Sequence, residues 1–520
     1  LAQDLRYALR SLARSPGFAG AAVLTLALAV GANTAVFSVV DAILLDPLPF
    51  PDQQRLVTVW EDLSARGGPT QEWTGTAVFD AWRDGARSFA GLTAVTGWSA
   101  AMAGGERPEI VPGAAVTHEY FRVLGVEPVL GRGFAAAEET PGTDRVLVLS
   151  HGLWRRRFGG DPAVVGTAVE VNGAPYAVVG VAPEGLRGPI VPQAEAWTVL
   201  SVAPVPQDWG NYYLRVVGRL GPGVERAAAA AELDGVMARL GRLQPADLGG
   251  AAVTVESLHE TVAGPVRAQL LALLGAVGLV LLVACVNVAN LTLARAFGRD
   301  RELAMRAALG APRRRLTRQL VTEGLLLAFL GGLLGLALGL WATELLRTFA
   351  PPGTPRLDEV RFDGSVFAFT LAVTAATGVL FGLVPALAAF PSAPRAALDE
   401  GGRAGSSARR VRLRAGLVMA ELALGLALLV AAGLLLRTLD ALQREDPGFR
   451  ADGVVAGQLL FPSGRYPEPE RVPPFVARLL ERLEAVPDVV AAGAVSVLPL
   501  SGGQTDASYV VEGRLPPAGE

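Results

Sequence analysis

The stretch RELAMRAALGAPRRRLTRQLVTEGLLLAFLGGLLGLALGL, residues 301–340, decides how this chain is read. Its first half is rich in arginine, and its second half is an apolar run of ~20 residues, enough to cross a bilayer. Arg301-Glu302 opens a helical pattern in which Leu303, Ala307, Ala308 and Leu309 share an apolar face. Gly310-Ala311-Pro312 then stops it. A positively charged loop lying against lipid headgroups accounts for the arginines but not for a helix with its own start and stop. A short helix parallel to the membrane suits docking by a soluble protein, which would thereby grip the span that follows.

Outward from this stretch the composition agrees. Of 520 residues, 51% are hydrophobic and the mean hydropathy is +0.38. Several runs reach membrane-spanning length, so the chain reads as an integral membrane protein with polar domains between its spans. The net charge of −3 says little, because its sign alternates along the chain. All 46 basic residues are arginine, so the phosphate-binding pattern G-x-x-x-x-G-K-[ST], which requires lysine, is excluded. The lone cysteine, Cys285, excludes an internal disulfide and reads as a small packing residue within a span. The chain starts at Leu1 and stops at Glu520 within domain-like sequence, so a fragment of a longer protein is expected.

Residues 1–17 are expected to form an interfacial helix, with Leu5, Leu9 and Leu12 on one face and Arg6, Arg10 and Arg14 on the next. Span 1 covers 18–40, too long for the hydrophobic region of a signal peptide, and is interrupted by Asn33 and Thr34. Residues 41–267 hold no span. A strand at 56–60, a helix at 76–87 and a strand at 92–95 read as a βαβ unit. Further strands are expected at 146–150, 168–173, 176–181 and 213–220, with a helix ending near 240, giving an α+β domain of two lobes. Spans 2, 3 and 4 are placed at 268–293, 320–340 and 365–389, with the basic segment 295–318 between the first two. Residues 390–414 read as an arginine-rich linker and 415–436 as span 5. The remainder, 437–520, repeats the opening: strand 453–461, helix 473–484 and strand 489–497, the start of a second domain cut short.

Five alternating spans put all three arginine-rich segments (the N-terminus, 295–318 and 395–414) on one side. The positive-inside rule makes that side cytoplasmic and puts 41–267 and 437–520 outside.

Several single residues have plainer roles than catalysis or metal binding. His118, His151 and His259 lack metal-ligand spacing and read as solvated or core histidines. Ser150 beside His151 has no nucleophile-elbow motif to make it a hydrolase. Glu323 and Glu344 fall near the ends of span 3, where interfacial solvation explains them, whereas Glu421 sits deeper in span 5 and is a candidate interhelical contact. Gly331, Gly335 and Gly339 stand at G-x-x-x-G spacing, which lets a neighbouring helix approach closely.

At these residues the chain resembles the MacB/FtsX-type permeases of ABC transporters. The quoted stretch is similar to their cytoplasmic coupling region. VTHEYFRVLGVEPVLGRGF (117–134) and VLVLSHGLWRRRFGGDPAVVGTAVEVNGAPYAVVGVAPEG (146–185) resemble the MacB-type periplasmic core. The opening DLRYALRSLARSPGFAGAAVLTLALAVGANTAVFSVVDAILL and the duplicated layout resemble the tandem orphan permeases of that superfamily. The resemblance implies an α-helical transmembrane bundle with α+β extracytoplasmic domains. It assigns ATPase coupling to Arg301, Glu302, Arg306, Ala308, Gly310 and Ala311, and matches Glu323 to an acidic position. It departs from a four-span permease in carrying an incomplete second half, and the linker 395–414 shows no second coupling motif. The implied function is mechanotransmission: a separate ATPase closes on 301–312, tilts spans 2 and 3 and moves the extracytoplasmic domains for export. The chain itself is then not an enzyme and carries no cofactor or metal. Its expected partners are a cytoplasmic ABC ATPase, the bilayer of the bacterial inner membrane, and a periplasmic adaptor or envelope protein, with no nucleic acid. Two other readings are a scaffold regulating an envelope enzyme and an orphan receptor-like protein without an ATPase.

Overall fold

Among the residues that the computed structural model describes (2–45, 48–102, 109–201, 209–298, 313–349, 360, 362–389, 402–446, 448–449, 453–457, 459–461, 466 and 468–498), five helices are long and apolar enough to cross a membrane. The chain divides into two units, Leu1–Asp46 with Ala263–Val454 and Pro47–Val262 with Val455–Glu520.

The first unit opens with α1 (Ala2–Ala13), which packs against the helices of spans 1 and 3. Its buried face is Ala8, Ser11 and Leu12, while Leu9 stands 49% exposed. Ala8 and Ser11 are small and allow close approach to the bundle, and Leu12 belongs both to this face and to the expected leucine face. Span 1 is α2 (Pro16–Val40), begun by a proline whose missing N–H would have had no helical partner. It widens into a π-turn at Asp41–Leu45.

The second unit contains β1 (Leu56–Asp62), α3 (Thr76–Gly85), β2 (Phe89–Met102), β3 (Glu109–Val116), α4 (Tyr120–Leu124), β4 (Leu130–Gly131), β5 (Val146–Leu149), α5 (His151–Phe158), β6 (Ala168–Val171), β7 (Ala174–Val181), β8 (Ala196–Val199), β9 (Arg215–Leu220), α6 (Arg226–Leu243), α7 (Pro245–Leu248) and β10 (Ala252–Ser257). The strands join one mixed sheet in the order β10-β1-β9-β2-β3-β8-β5-β7-β4, with β6 paired to β2 and β7. β1 and β2 are not neighbours: β9 lies between them, antiparallel to both. The expected βαβ unit is thus split. With β9, α6 and β10 it makes an interleaved β-α-β-β-α-β module into which β3 to β8 are inserted. Periodicity locates a strand but does not say which distant strand will pair with it.

The long strand β2 joins the two lobes within the sheet. Its residues 89–95 pair with β9 and its residues 95–102 with β3. Over the split module, α3 and α6 bury Phe79, Trp82, Leu233 and Met237 against Val59 and Val216. In the inserted lobe, Leu147, Leu149, Leu153, Val178 and Val181 form another core, and Trp197 with Phe121 and Tyr120 fills a third. Ser150 caps α5, its Oγ accepting from the Leu153 N–H at 3.1 Å, which accounts for a serine next to His151 without any catalytic role. Ser150→Ala is expected to cost about 1 kcal/mol, measurable as a lowered midpoint of chemical unfolding.

Back in the first unit, span 2 lies in α8 (Leu258–Gly298), span 3 in α9 (Arg313–Phe349), span 4 in α10 (Gly364–Ala389) and span 5 in α11 (Gly402–Arg444). Two boundaries differ from expectation. Helix α8 starts ten residues before 268, directly after β10, and the arginine-rich residues 402–414 continue into span 5 as one helix. No proline interrupts 402–414, so nothing there stops the helix.

In the tail, α12 (Val472–Glu484) stands where a helix was expected. The strands expected at 453–461 and 489–497 are not formed by the described residues there, and Val455 and Val490 are 96% and 100% exposed. A strand needs a hydrogen-bonded neighbour, and none of the described residues supplies one. The ordered contact here is an aromatic trio, Phe461, Tyr466 and Phe475, with ring centroids 5.5–5.8 Å apart.

Candidate functional site

Span 3 is gripped from two sides by glycines. A Cβ on Gly331 would lie 2.6 Å from Leu26 Cβ, and one on Gly335 would lie 3.0 Å from both the Ala27 carbonyl oxygen and Val30 Cβ. One on Gly339 would lie 3.2 Å from Thr34 Cβ. Span 1 reciprocates with Gly31, where a Cβ would lie 2.9 Å from the Gly335 carbonyl oxygen. The three sequence-selected glycines thus stand on one face against span 1. On an adjoining face, Gly332 meets Thr374 of span 4, and Gly378 of span 4 meets Leu325 and Ala328. Such backbone contact replaces lipid with tightly packed protein, which drives helix association in a membrane.

A line of polar contacts runs beside these glycines. Asn33 Nδ2 donates to the carbonyl oxygens of Ala29 (2.9 Å) and of Val277 on span 2 (2.8 Å). Thr34 and Thr370 hydroxyls lie 3.0 Å apart, joining spans 1 and 4. Ser38 and Thr343 lie 3.4 Å apart, joining spans 1 and 3. At the end of span 1, the Ser365 hydroxyl donates to the Asp41 carboxylate. At the opposite end, Arg295 closes span 2 onto α1, donating to the Ser11 carbonyl (2.5 Å) and hydroxyl (3.0 Å), with its guanidinium 4.8 Å from the Phe18 ring centre. Each interhelical hydrogen bond contributes only about 0.6 kcal/mol in a membrane, so close packing holds the bundle and the polar groups set its register.

These contacts join the starts of spans 1 and 4 to the partners that alternating spans require. Asp41 ends span 1 where Ser365 begins span 4, and Arg295 ends span 2 where Phe18 begins span 1. Asn33 and Thr34 were visible in the sequence as polar interruptions. Their partners were not, because Val277 and Thr370 lie 244 and 336 residues away.

Glu421 meets Asn287 across spans 5 and 2. In the amide orientation that satisfies both groups, the Asn287 nitrogen donates to the two carboxylate oxygens at 2.6 and 3.3 Å. Glu344 is exposed, as interfacial solvation requires, but Glu323 is 9% exposed, with Gln319 Nε2 at 3.5 Å. Interfacial solvation therefore does not describe Glu323, whose side chain is covered by protein although it lies near the start of the span. Arg301, Glu302, Arg306, Ala308, Gly310 and Ala311 lie outside the described residues.

Outside the bundle, two carboxylates are displaced in opposite directions. Glu139 lies at about 2: burial raises it, but bonds from the His118 ring and N–H and from Arg83 outweigh that. His118 is thus engaged in a structural bond. No group of three or more His, Cys, Asp or Glu arranged to hold a metal occurs among the described residues. Glu61 on β1 moves from its ordinary 4.5 to about 7, first by burial and then by the nearby Glu72 charge, against a bond from the Thr74 hydroxyl. Its Oε2 makes no hydrogen bond among the described residues. Because the folded state holds this proton more tightly, its stabilisation is complete below pH 4.5 and is lost as pH rises to about 7. The difference amounts to roughly 3 kcal/mol. Glu61→Gln is expected to flatten the fall in stability between those pH values, measured by denaturant unfolding across the range.

Five spans with one α/β domain between the first two define a polytopic membrane protein built around a central glycine-lined helix. The MacB-like periplasmic core domain model matches residues 19–236 and the FtsX-like permease C-terminal model residues 274–394, together well over half of the chain. The chain belongs to the MacB/FtsX-type permeases. Similar proteins include the "Macrolide export ATP-binding/permease protein MacB" of Chromobacterium violaceum, 28% identical over 284 residues, and that of Shigella boydii, 29% identical over 278 residues. Each alignment covers 52% of this chain and 40% of the relative, so the chain spans under half the length of these proteins. Among solved structures, the periplasmic region of MacB from Actinobacillus actinomycetemcomitans is 14% identical, with a TM-score of 0.32, covering 43% of this chain and 97% of that one. A domain of a putative permease from Porphyromonas gingivalis is 17% identical, with a TM-score of 0.33, covering 40% of this chain and 92% of that one.

Proposed function

We propose that the chain is the noncatalytic permease subunit of an ABC export system, passing the motion of a separate cytoplasmic ATPase to domains outside an inner membrane. The observation that carries this reading is the position of span 3. It follows directly on the proposed coupling stretch 301–312 and is the helix that spans 1 and 4 both contact through glycines. A push on that segment enters a rigid, closely packed seam rather than a loose loop, and rigid packed elements transmit displacement. Span 1 leads on to the first residues of the α/β domain, so tilting span 3 against span 1 moves the polypeptide at the domain's entry.

Two further observations support the arrangement. The 520 residues hold no lysine and hence no lysine-containing phosphate-binding loop, which is in keeping with ATP hydrolysis on a separate subunit. The three arginine-rich segments share one side, which the positive-inside rule makes cytoplasmic, with the N-terminus. The names of the curated relatives join ATP-binding and permease in macrolide export, and we extend the export role, without its cargo, to this chain. Purification from native membranes in mild detergent tests the reading: a co-purifying ABC ATPase is expected. Its absence under conditions that retain other membrane complexes contradicts the proposal and favours the receptor-like alternative.

A further inference from the structure

Span 5 is attached to the bundle by one narrow stripe. Among the described residues from Val418 to Arg444, only Glu421, Leu424, Gly425 and Leu428 are partly buried. Their spacing of three, four and seven marks a single helix face. Apolar contact along such a face is weakly selective in a membrane, because lipid tails solvate leucine as well as another leucine does. What distinguishes this face is Glu421, whose carboxylate accepts from the Asn287 amide of span 2 at 2.6 and 3.3 Å. A carboxyl and an amide at this depth have few other partners, so their pairing selects one depth and one rotation of span 5.

Asn287 lies eight residues before Arg295, the side chain that fastens the same end of span 2 to α1. The pair therefore sits near the end of span 2 that leads into the basic segment 295–318. One turn on, Asn290 Oδ1 is buried with no partner among the described residues, so this face of span 2 remains polar beyond its contact with Glu421.

We propose that Glu421 and Asn287 form an intramembrane latch that ties span 5, and the segment following it, to the cytoplasmic end of span 2. Glu421 is a positioning residue: it touches no substrate and acts through the placement of its helix. What the latch passes on rests on the coupling function proposed above, but its existence does not. Displacement of span 2 reaches the second half of the chain through this bond, without passing through the glycine seam of span 3.

The test is oxidative cross-linking in intact membranes between cysteines at Ala284 and Leu424, one turn from each partner and at one depth in oppositely running spans, with Cys285 replaced by alanine. Efficient cross-linking is expected in the full chain and with Glu421→Gln, whose amide still bonds to Asn287. A fall of fivefold or more is expected with Glu421→Leu and with Asn287→Leu. Both leucine variants are more apolar than the native span and insert readily, so a loss of cross-linking reports docking and not failed insertion. Undiminished cross-linking in Glu421→Leu overturns the latch, as does a loss in Glu421→Gln equal to that in Glu421→Leu. No ATPase is needed, so failure here is distinct from failure of the coupling function.

Discussion

Gly335→Leu is expected to break the contact between spans 1 and 3 and to lower thermal stability in detergent by well over the cost of Gly335→Ala. Even a Cβ at this position lies 3.0 Å from the Ala27 carbonyl oxygen and 3.1 Å from the Gly31 nitrogen. Backbone atoms of a regular helix cannot move aside singly, so the helices must separate along their length. Gly335→Ala is expected to cost about 1–3 kcal/mol, the range for overpacking one small group, and leucine considerably more. Gly31→Ala, acting on the reciprocal contact, should match Gly335→Ala. Gly275→Leu and Gly278→Leu on span 2 serve as controls, since among the described residues nothing lies within 4 Å of a Cβ at either, and their melting temperatures should be unchanged. A Gly335→Leu protein that melts with the native one would show that the seam does not hold the bundle.

Glu302→Ala combined with Arg306→Ala is expected to weaken association with the ATPase at least about tenfold while leaving the melting temperature unaltered. Arg306 lies four residues after Glu302, so on a helix the two occupy neighbouring positions of one face. Charged groups desolvated at an interface commonly contribute about 2–5 kcal/mol when truncated, so a tenfold loss is a modest expectation. Neither residue belongs to the glycine seam, which is why stability should not follow affinity. Titration of labelled ATPase onto nanodisc-embedded chain measures the first quantity, and differential scanning fluorimetry the second.

The contrast between these variants reflects how much of each feature was legible in the sequence. Membrane spans were legible because an apolar run long enough to cross a bilayer is a local property, and all five expected spans coincide with long helices. The glycines of span 3 were legible as a spacing, yet the spacing could not name their partner. Gly31 was not legible, because no other glycine stands four residues from it in span 1. Most strands of the α/β domain were readable from alternation, but the insertion of β9 between β1 and β2 depends on pairing across more than a hundred residues. The tail shows the converse: 453–461 and 489–497 have strand-like composition, yet among the described residues no neighbouring strand completes a ladder. Glu421 stood out as an acid among leucines, while its partner Asn287 became evident only once spans 2 and 5 were side by side. The opening residues of the coupling stretch, 301–312, rest on their helical pattern and family resemblance.

ATP turnover by the ABC ATPase in proteoliposomes containing this chain tests the central claim most directly. The native chain is expected to stimulate turnover, and the Glu302→Ala, Arg306→Ala double variant to abolish that stimulation with the ATPase present at saturating concentration. Equal turnover with the native and double-variant chains would contradict the account.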